Sequence, residues 1–190
     1  MRLQLLTWIS DIFIKEDLKR GRVTEVKNLQ SAKTMLFLFN ADSEKHQNTV
    51  LKWKEEVAKQ YNFKIDALGF TFRKEKKRPA YMDSTGKRYV MLGPKKTTLF
   101  FKPKATHKFE GVRRLLQTEY DILIDFTQNE FYPLRRFLVL SRAKFRVGYN
   151  RSGSEPFYDM LIGGEGKEKI EDYKKQVFHY LEIINKNDAK

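Results

Sequence analysis

Three groupings in this 190-residue chain hold side chains able to do chemistry: three histidines, the pair Asp121 and Asp125, and a dense run of lysine and arginine. The run is the most pronounced. From Arg73 to Lys108 twelve bases stand against two acids, a net +10 within a chain of +14. Charge segregated in this way is an electrostatic footprint whose commonest partner is a polyanion. Aromatic residues are interleaved with it: Tyr81, Tyr89, Phe100 and Phe101. Bases that follow a phosphate backbone, with rings that stack on nucleobases, suit single-stranded or irregular RNA. The candidate phosphate contacts are Lys74, Lys76, Lys77, Arg78, Lys87, Arg88, Lys95 and Lys96, and the candidate stacking rings are Tyr81 and Tyr89. The competing account is a solvated face with its aromatics turned into the core. A charge of this density favours polyanion binding over it. Acidic lipid is the weaker polyanion, because no amphipathic helix adjoins the charge.

Asp121 and Asp125 lie in the run YDILIDF, where a period of two puts them on one face of a strand. Asp125 stands near the strand's carboxyl end, where open α/β sheets place their ligand crevice. Asp125 and Asn129 are therefore the alternative ligand site. The structural counterpart is that Asp125 caps the amides of the Thr127-Gln128-Asn129 turn. The histidines, His46, His107 and His179, share no metal-binding spacing, so no metal site is expected. No glycine-rich phosphate loop follows the first strand, which turns through Asn40-Ala41-Asp42-Ser43, and no cofactor is expected. The Gly163-Gly164-Glu165-Gly166 stretch matches no nucleotide fingerprint and reads as a linker. No catalytic constellation emerges, and the chain reads as a non-enzyme.

The elements that must position these residues follow from hydrophobic period. Residues 3–20 read as an amphipathic helix with Leu5, Leu6, Ile9, Ile12, Phe13 and Leu18 inward, ended by Gly21. Thr34–Phe39 is a wholly apolar strand, as in a parallel sheet covered on both faces. Glu44–Tyr61 is a helix and Lys64–Phe72 a second strand, giving a β–α–β unit. Residues 73–106 interrupt the rhythm and read as a basic insertion with short strands at Arg88–Leu92 and Thr97–Phe101. The alternation then resumes: a helix over His107–Gln117, a strand over Tyr120–Phe126, a helix over Glu130–Ser141, strands over Lys144–Tyr149 and Tyr158–Ile162, and a last helix over Glu168–Asn185. The expected fold is a Rossmann-like three-layer α/β/α sandwich with a mainly parallel sheet of about five strands. The expected division is an N-terminal helix at 1–22 and one domain at 23–190.

The chain has 41% hydrophobic residues and no cysteine, which suits a folded core and excludes disulfides, thiolate metal ligands and thiol catalysis. Gln4 and Asp11 interrupt the apolar N-terminal stretch, and no small-residue cleavage site follows it. A cytoplasmic protein without a membrane span is expected.

The run TEYDILIDFTQNEFYPLRRFLVLSRAKFRVGY at 118–149, with YDMLI at 158–162 and VFHYLEIIN at 177–185, resembles a family of small proteins of unknown function found mainly in Bacteroidota. That resemblance implies a fold and a bacterial origin but no activity. A more distant set of residues, Tyr120, Asp121, Ile124, Asp125, Arg146 and Gly148, is similar to the N-terminal half of heptosyltransferase-like glycosyltransferases. Those enzymes have a glycine-aspartate loop where this chain has Asn40-Ala41-Asp42, and a second domain that this chain lacks. The similarity thus implies retained fold without retained activity. The resulting expectation is an RNA-binding protein, associated with ribosomes or structured RNA. The alternatives are a reduced glycosyltransferase-like protein that binds a nucleotide or sugar phosphate, and a module that meets a protein partner through its N-terminal helix.

Overall fold

The computed structural model describes residues 2–19, 21–73, 89–98, 102–104, 109–129, 131–164 and 168–184, with side chains from residue 11 onward. Six parallel strands form one sheet: β1 (Thr34–Asn40), β2 (Lys64–Phe70), β3 (Val90–Leu92), β4 (Glu119–Asp125), β5 (Arg142–Tyr149) and β6 (Met160–Ile162). Their spatial order is β3-β2-β1-β4-β5-β6. The chain winds outward from β1 in one direction and then returns to wind outward in the other, as in a doubly wound Rossmann-like fold. The sixth strand is β3, at the sheet edge. It lies inside the segment expected to be an insertion, so part of that segment completes the sheet.

The helices are α1 (Arg2–Lys19), α2 (Glu44–Tyr61), α3 (Glu110–Gln117), α4 (Tyr132–Leu140) and α5 (Ile170–Ile183). Pleat alternation sends Met35, Phe37 and Phe39 of β1 to one face, where α2 and α5 cover them. Leu36 and Leu38 face the other side, with α1, α3 and α4. All five of these side chains are fully buried, which explains the apolar run without alternation. Pro133 falls in the first turn of α4, where its missing N–H costs no helical bond. No described helix is long and apolar enough to cross a membrane.

Leu5, Leu6 and Ile9 lie outside the described side chains of α1, and over residues 11–19 the inward face differs from the expected stripe. Ile14 and Asp17 are buried, whereas Ile12 and Phe13 are exposed. The cause lies on α4, which offers arginines as well as apolar residues. Asp17 Oδ2 accepts from Arg136 Nη2 at 3.1 Å, and both side chains are about 5% exposed. Asp11 stands 4.0 Å from Arg135. Hydrophobic period alone phases α1 on its apolar residues and misses a helix that docks partly through its acids.

Candidate functional site: a neutral crevice beside a basic segment

Adjacent strands β1 and β4 send their chains to opposite faces of the sheet, β1 into α2 and β4 into α4. Their ends therefore diverge and open a crevice at the carboxyl edge, the place where open α/β sheets bind ligands. Asn40, Ser43 and His46 line one wall and Gln128, Asn129 and Phe131 the other, with Phe126 and Thr127 between them. The volume is about 170 Å³. That is below the roughly 300–1,000 Å³ of a typical cofactor pocket.

The wall from β1 is built by local side-chain bonds. Asn40 Oδ1 accepts from the Asp42 amide at 2.9 Å and sets the turn. Asp42 Oδ1 accepts from Thr71 Oγ1 at 2.7 Å and from the Phe72 amide at 2.9 Å, which ties the ends of β1 and β2 together. Ser43 caps α2, its Oγ accepting from the His46 amide at 3.3 Å. Burial pushes the His46 imidazole below its ordinary pKa, and the carboxylates of Asp125 and Glu171 offset this in part. The ring is neutral at pH 7 and offers one donor and one acceptor.

Asp125 does not line the crevice. It is 1% exposed, and both carboxylate oxygens are already engaged. Oδ1 accepts from the Thr127 amide at 2.8 Å and from Thr127 Oγ1 at 2.5 Å, while Oδ2 accepts from Tyr158 Oη at 2.6 Å. Tyr173 Oη donates to the Asp125 carbonyl at 3.1 Å, and Arg151 Nη1 donates to the Thr127 carbonyl at 2.8 Å. Burial and the neighbouring Asp125 charge raise the Tyr158 and Tyr173 phenols well above their ordinary pKa, so both remain donors. Gly148 makes this approach possible, because a Cβ there would overlap the Tyr158 ring. The aspartate is thus a turn-capping group, and of the alternative pair Asp125 and Asn129 only Asn129 lines the crevice. Asp121 is spent as well, at the other end of the strand. Its Oδ2 accepts from the Lys33 and Thr34 amides and from Thr34 Oγ1, at 2.8, 3.0 and 3.0 Å.

The basic segment leaves β2 at the same carboxyl edge. Lys74, Lys76, Lys77, Arg78, Tyr81, Lys87 and Arg88 lie outside the described residues, as do Phe100 and Phe101. Tyr89 is half-buried. Its ring centroid is 6.1 Å from that of Phe39, and its hydroxyl accepts from Gln47 Nε2 at 2.7 Å. These contacts make it a packed ring, not an open stacking platform. Lys96 donates to the Met91 carbonyl at 2.8 Å and braces the end of β3. Lys95 and Lys102 are exposed.

Phe72 was missed by sequence reading, which extends β2 to it and counts it as a strand residue. The strand ends at Phe70, and Phe72 is left 53% exposed. His46, Ser43, Gln128 and Phe131 were also missed as a group, because only the sheet order brings them together. Among the described residues no cluster of three or more His, Asp or Glu could hold a metal ion. His46 lines the crevice, His179 sits on α5 against Tyr180, and His107 lies outside the described residues.

The model of a family of unknown function, DUF6913, matches residues 9–184. The chain belongs to that family. The match runs from within α1 to just past the end of α5, so the DUF6913 unit comprises the whole sheet, the crevice and the basic segment together. No curated protein and no solved structure matches the chain.

Proposed function

We propose that this DUF6913 protein binds RNA without catalysing a reaction, contacting phosphates through the basic segment. The observation that carries this reading is the net +10 between Arg73 and Lys108. Its position supports it, since the segment departs from the carboxyl end of β2 beside the crevice rather than from a remote loop. A polyanion arriving there meets Arg73, Lys95 and Lys102 at the surface. Structured or ribosomal RNA in the cytoplasm of a bacterium is the partner class that suits such charge.

A salt titration tests it. If about five Lys and Arg residues contact phosphates, log K for a single-stranded RNA falls with log salt at a slope of roughly −3.5. Replacing Lys76, Lys77, Arg78 and Lys87 together by Gln flattens that slope and weakens binding to many sequences alike. Affinity at physiological salt no better than that of an unrelated protein of equal charge overturns the proposal.

A second reading draws on the strand order, which is the one used by dinucleotide-binding folds. In it the chain is a reduced relative of heptosyltransferase-like glycosyltransferases and takes a nucleotide or sugar phosphate. The crevice weighs against this, having no lysine or arginine among its described lining residues and a volume of about 170 Å³. Nucleotide binding that survives the quadruple substitution and is lost in Asn129→Ala would favour it.

A further inference from the structure

Phe72 is the most exposed ring among the described residues of the carboxyl edge. It stands immediately before Arg73, where the basic segment begins. Its ring meets Phe70 edge-on at 5.0 Å and Phe131 at 5.9 Å, with interplanar angles of 71° and 68°. Phe131, half-buried, also lines the crevice. A chain of three rings therefore runs from the buried Phe70 to the mouth of the crevice and the open surface.

The crevice itself has an uncommon chemistry for its position. Among the described residues its polar groups are neutral: Asn40, Ser43, His46, Thr127, Gln128 and Asn129. No Lys or Arg among the described residues lines it. Gln128 Nε2 donates to the Glu168 carbonyl at 2.8 Å, which fixes the amide and leaves its oxygen as an acceptor. Asn129 is exposed, and the Ser43 hydroxyl, which accepts from the His46 amide, keeps its own proton to donate. Neutral donors and acceptors flanked by rings match the edge and face of a nucleobase. Arg73, exposed next to Phe72, stands outside the crevice, where the backbone of the same strand would pass.

We propose that the crevice between β1 and β4 receives one unpaired nucleobase of a single-stranded RNA, which stacks on Phe72 and meets Phe131 edge-on while Gln128 and Asn129 hydrogen-bond its edge. This rests on the RNA-binding reading and adds to it a base-recognition site distinct from the phosphate contacts. Small volume, neutral lining and exposed aromatic rim are then one design: the base enters and the charged backbone stays on the basic segment.

The experiment uses fluorescence anisotropy with the full chain, a 12-nucleotide single-stranded RNA of mixed sequence, and an abasic oligomer of the same length. The abasic oligomer keeps every phosphate. The wild type is expected to bind the intact RNA about tenfold more tightly than the abasic one. Phe72→Ala is expected to lose about tenfold on intact RNA, in line with the contribution of one stacked base, with an unchanged salt slope and no loss on the abasic oligomer. Asn129→Ala, also at an exposed position, gives an independent variant, and circular dichroism verifies that both are folded. Equal wild-type affinity for the two oligomers, with both variants unchanged, overturns the base site and leaves the phosphate reading standing. Failure of the wild type to bind either oligomer better than a charge-matched protein overturns both.

Discussion

The two flanks of the crevice differ in how their polar groups are spent. On the β5–β6 flank, Asp125, Thr127, Tyr158, Tyr173 and Arg151 bond to one another and seal the end of the sheet. On the β2 flank, Phe72 keeps more than half its surface in solvent and the chain runs straight into its most basic stretch. In the first flank these five groups are engaged with one another; the second presents the exposed Phe72 ring and Arg73. The aspartate that looks most functional in the sequence is therefore scaffold, and a phenylalanine that looks like core is the better candidate contact.

The largest effect that follows is on stability. Asp125→Ala leaves the Tyr158 hydroxyl and the Thr127 amide without their acceptor in a buried site, at a cost of about 2–4 kcal/mol. Thermal melts should show a drop of roughly 5–10 °C for a chain of this length. Phe72→Ala should move the melt far less, because that ring is mostly exposed. If Phe72→Ala destabilises as much as Asp125→Ala, the two flanks are not different in kind.

Much of this architecture was legible in the sequence, for physical reasons that can be named. The run TMLFLF has no polar alternation because helices cover both faces of β1. Helix α2 was bounded correctly at Glu44 and Tyr61, since Ser43 is a good N-cap and Asn62 takes the left-handed conformation at φ 55°. What failed did so where side-chain pairing overrides hydrophobic period. Asp17 on α1 answers Arg136 on α4 across 119 residues of sequence, and nothing local announces that. The sequence reading takes Arg88–Leu92 as a short strand of an insertion, because the three residues Val90–Leu92 cannot declare that they join an existing sheet. The crevice could be located only through Asp125, the one of its neighbours whose type stands out. Ser43, His46, Gln128 and Phe131 acquire meaning from the adjacency of β1 and β4, whose first partners Met35 and Ile122 lie 87 positions apart in a register that sequence does not print.

A smaller effect concerns acid, and it extends the same contrast to the amino edge of the sheet, where the carboxylates are also internally spent. Burial alone would raise the Asp66 carboxyl, but hydrogen bonds from Arg114 and Tyr120 outweigh it and hold it below the ordinary value of 3.8. Asp121 is likewise lowered, its burial outweighed by the Lys33 and Thr34 amides. Both groups release their proton more readily folded than unfolded. Their contribution is therefore fully present above the unfolded value near 4 and is lost as pH falls through the lower folded values. Denaturant midpoints measured downward from pH 5 should fall below pH 4, and Asp66→Asn should make that fall shallower. An unchanged profile in Asp66→Asn would remove this carboxylate from the account.

The most direct test asks where RNA lies on the protein. Wild-type chain is irradiated with a single-stranded RNA containing 4-thiouridine, digested, and its cross-linked peptides are identified by mass spectrometry. Cross-links should concentrate on the peptides holding Phe72 and the basic run from Arg73 to Lys104, with a further site at the 126–131 turn. Cross-links confined to α5 or to the β5–β6 flank, with the basic run untouched, would contradict the account.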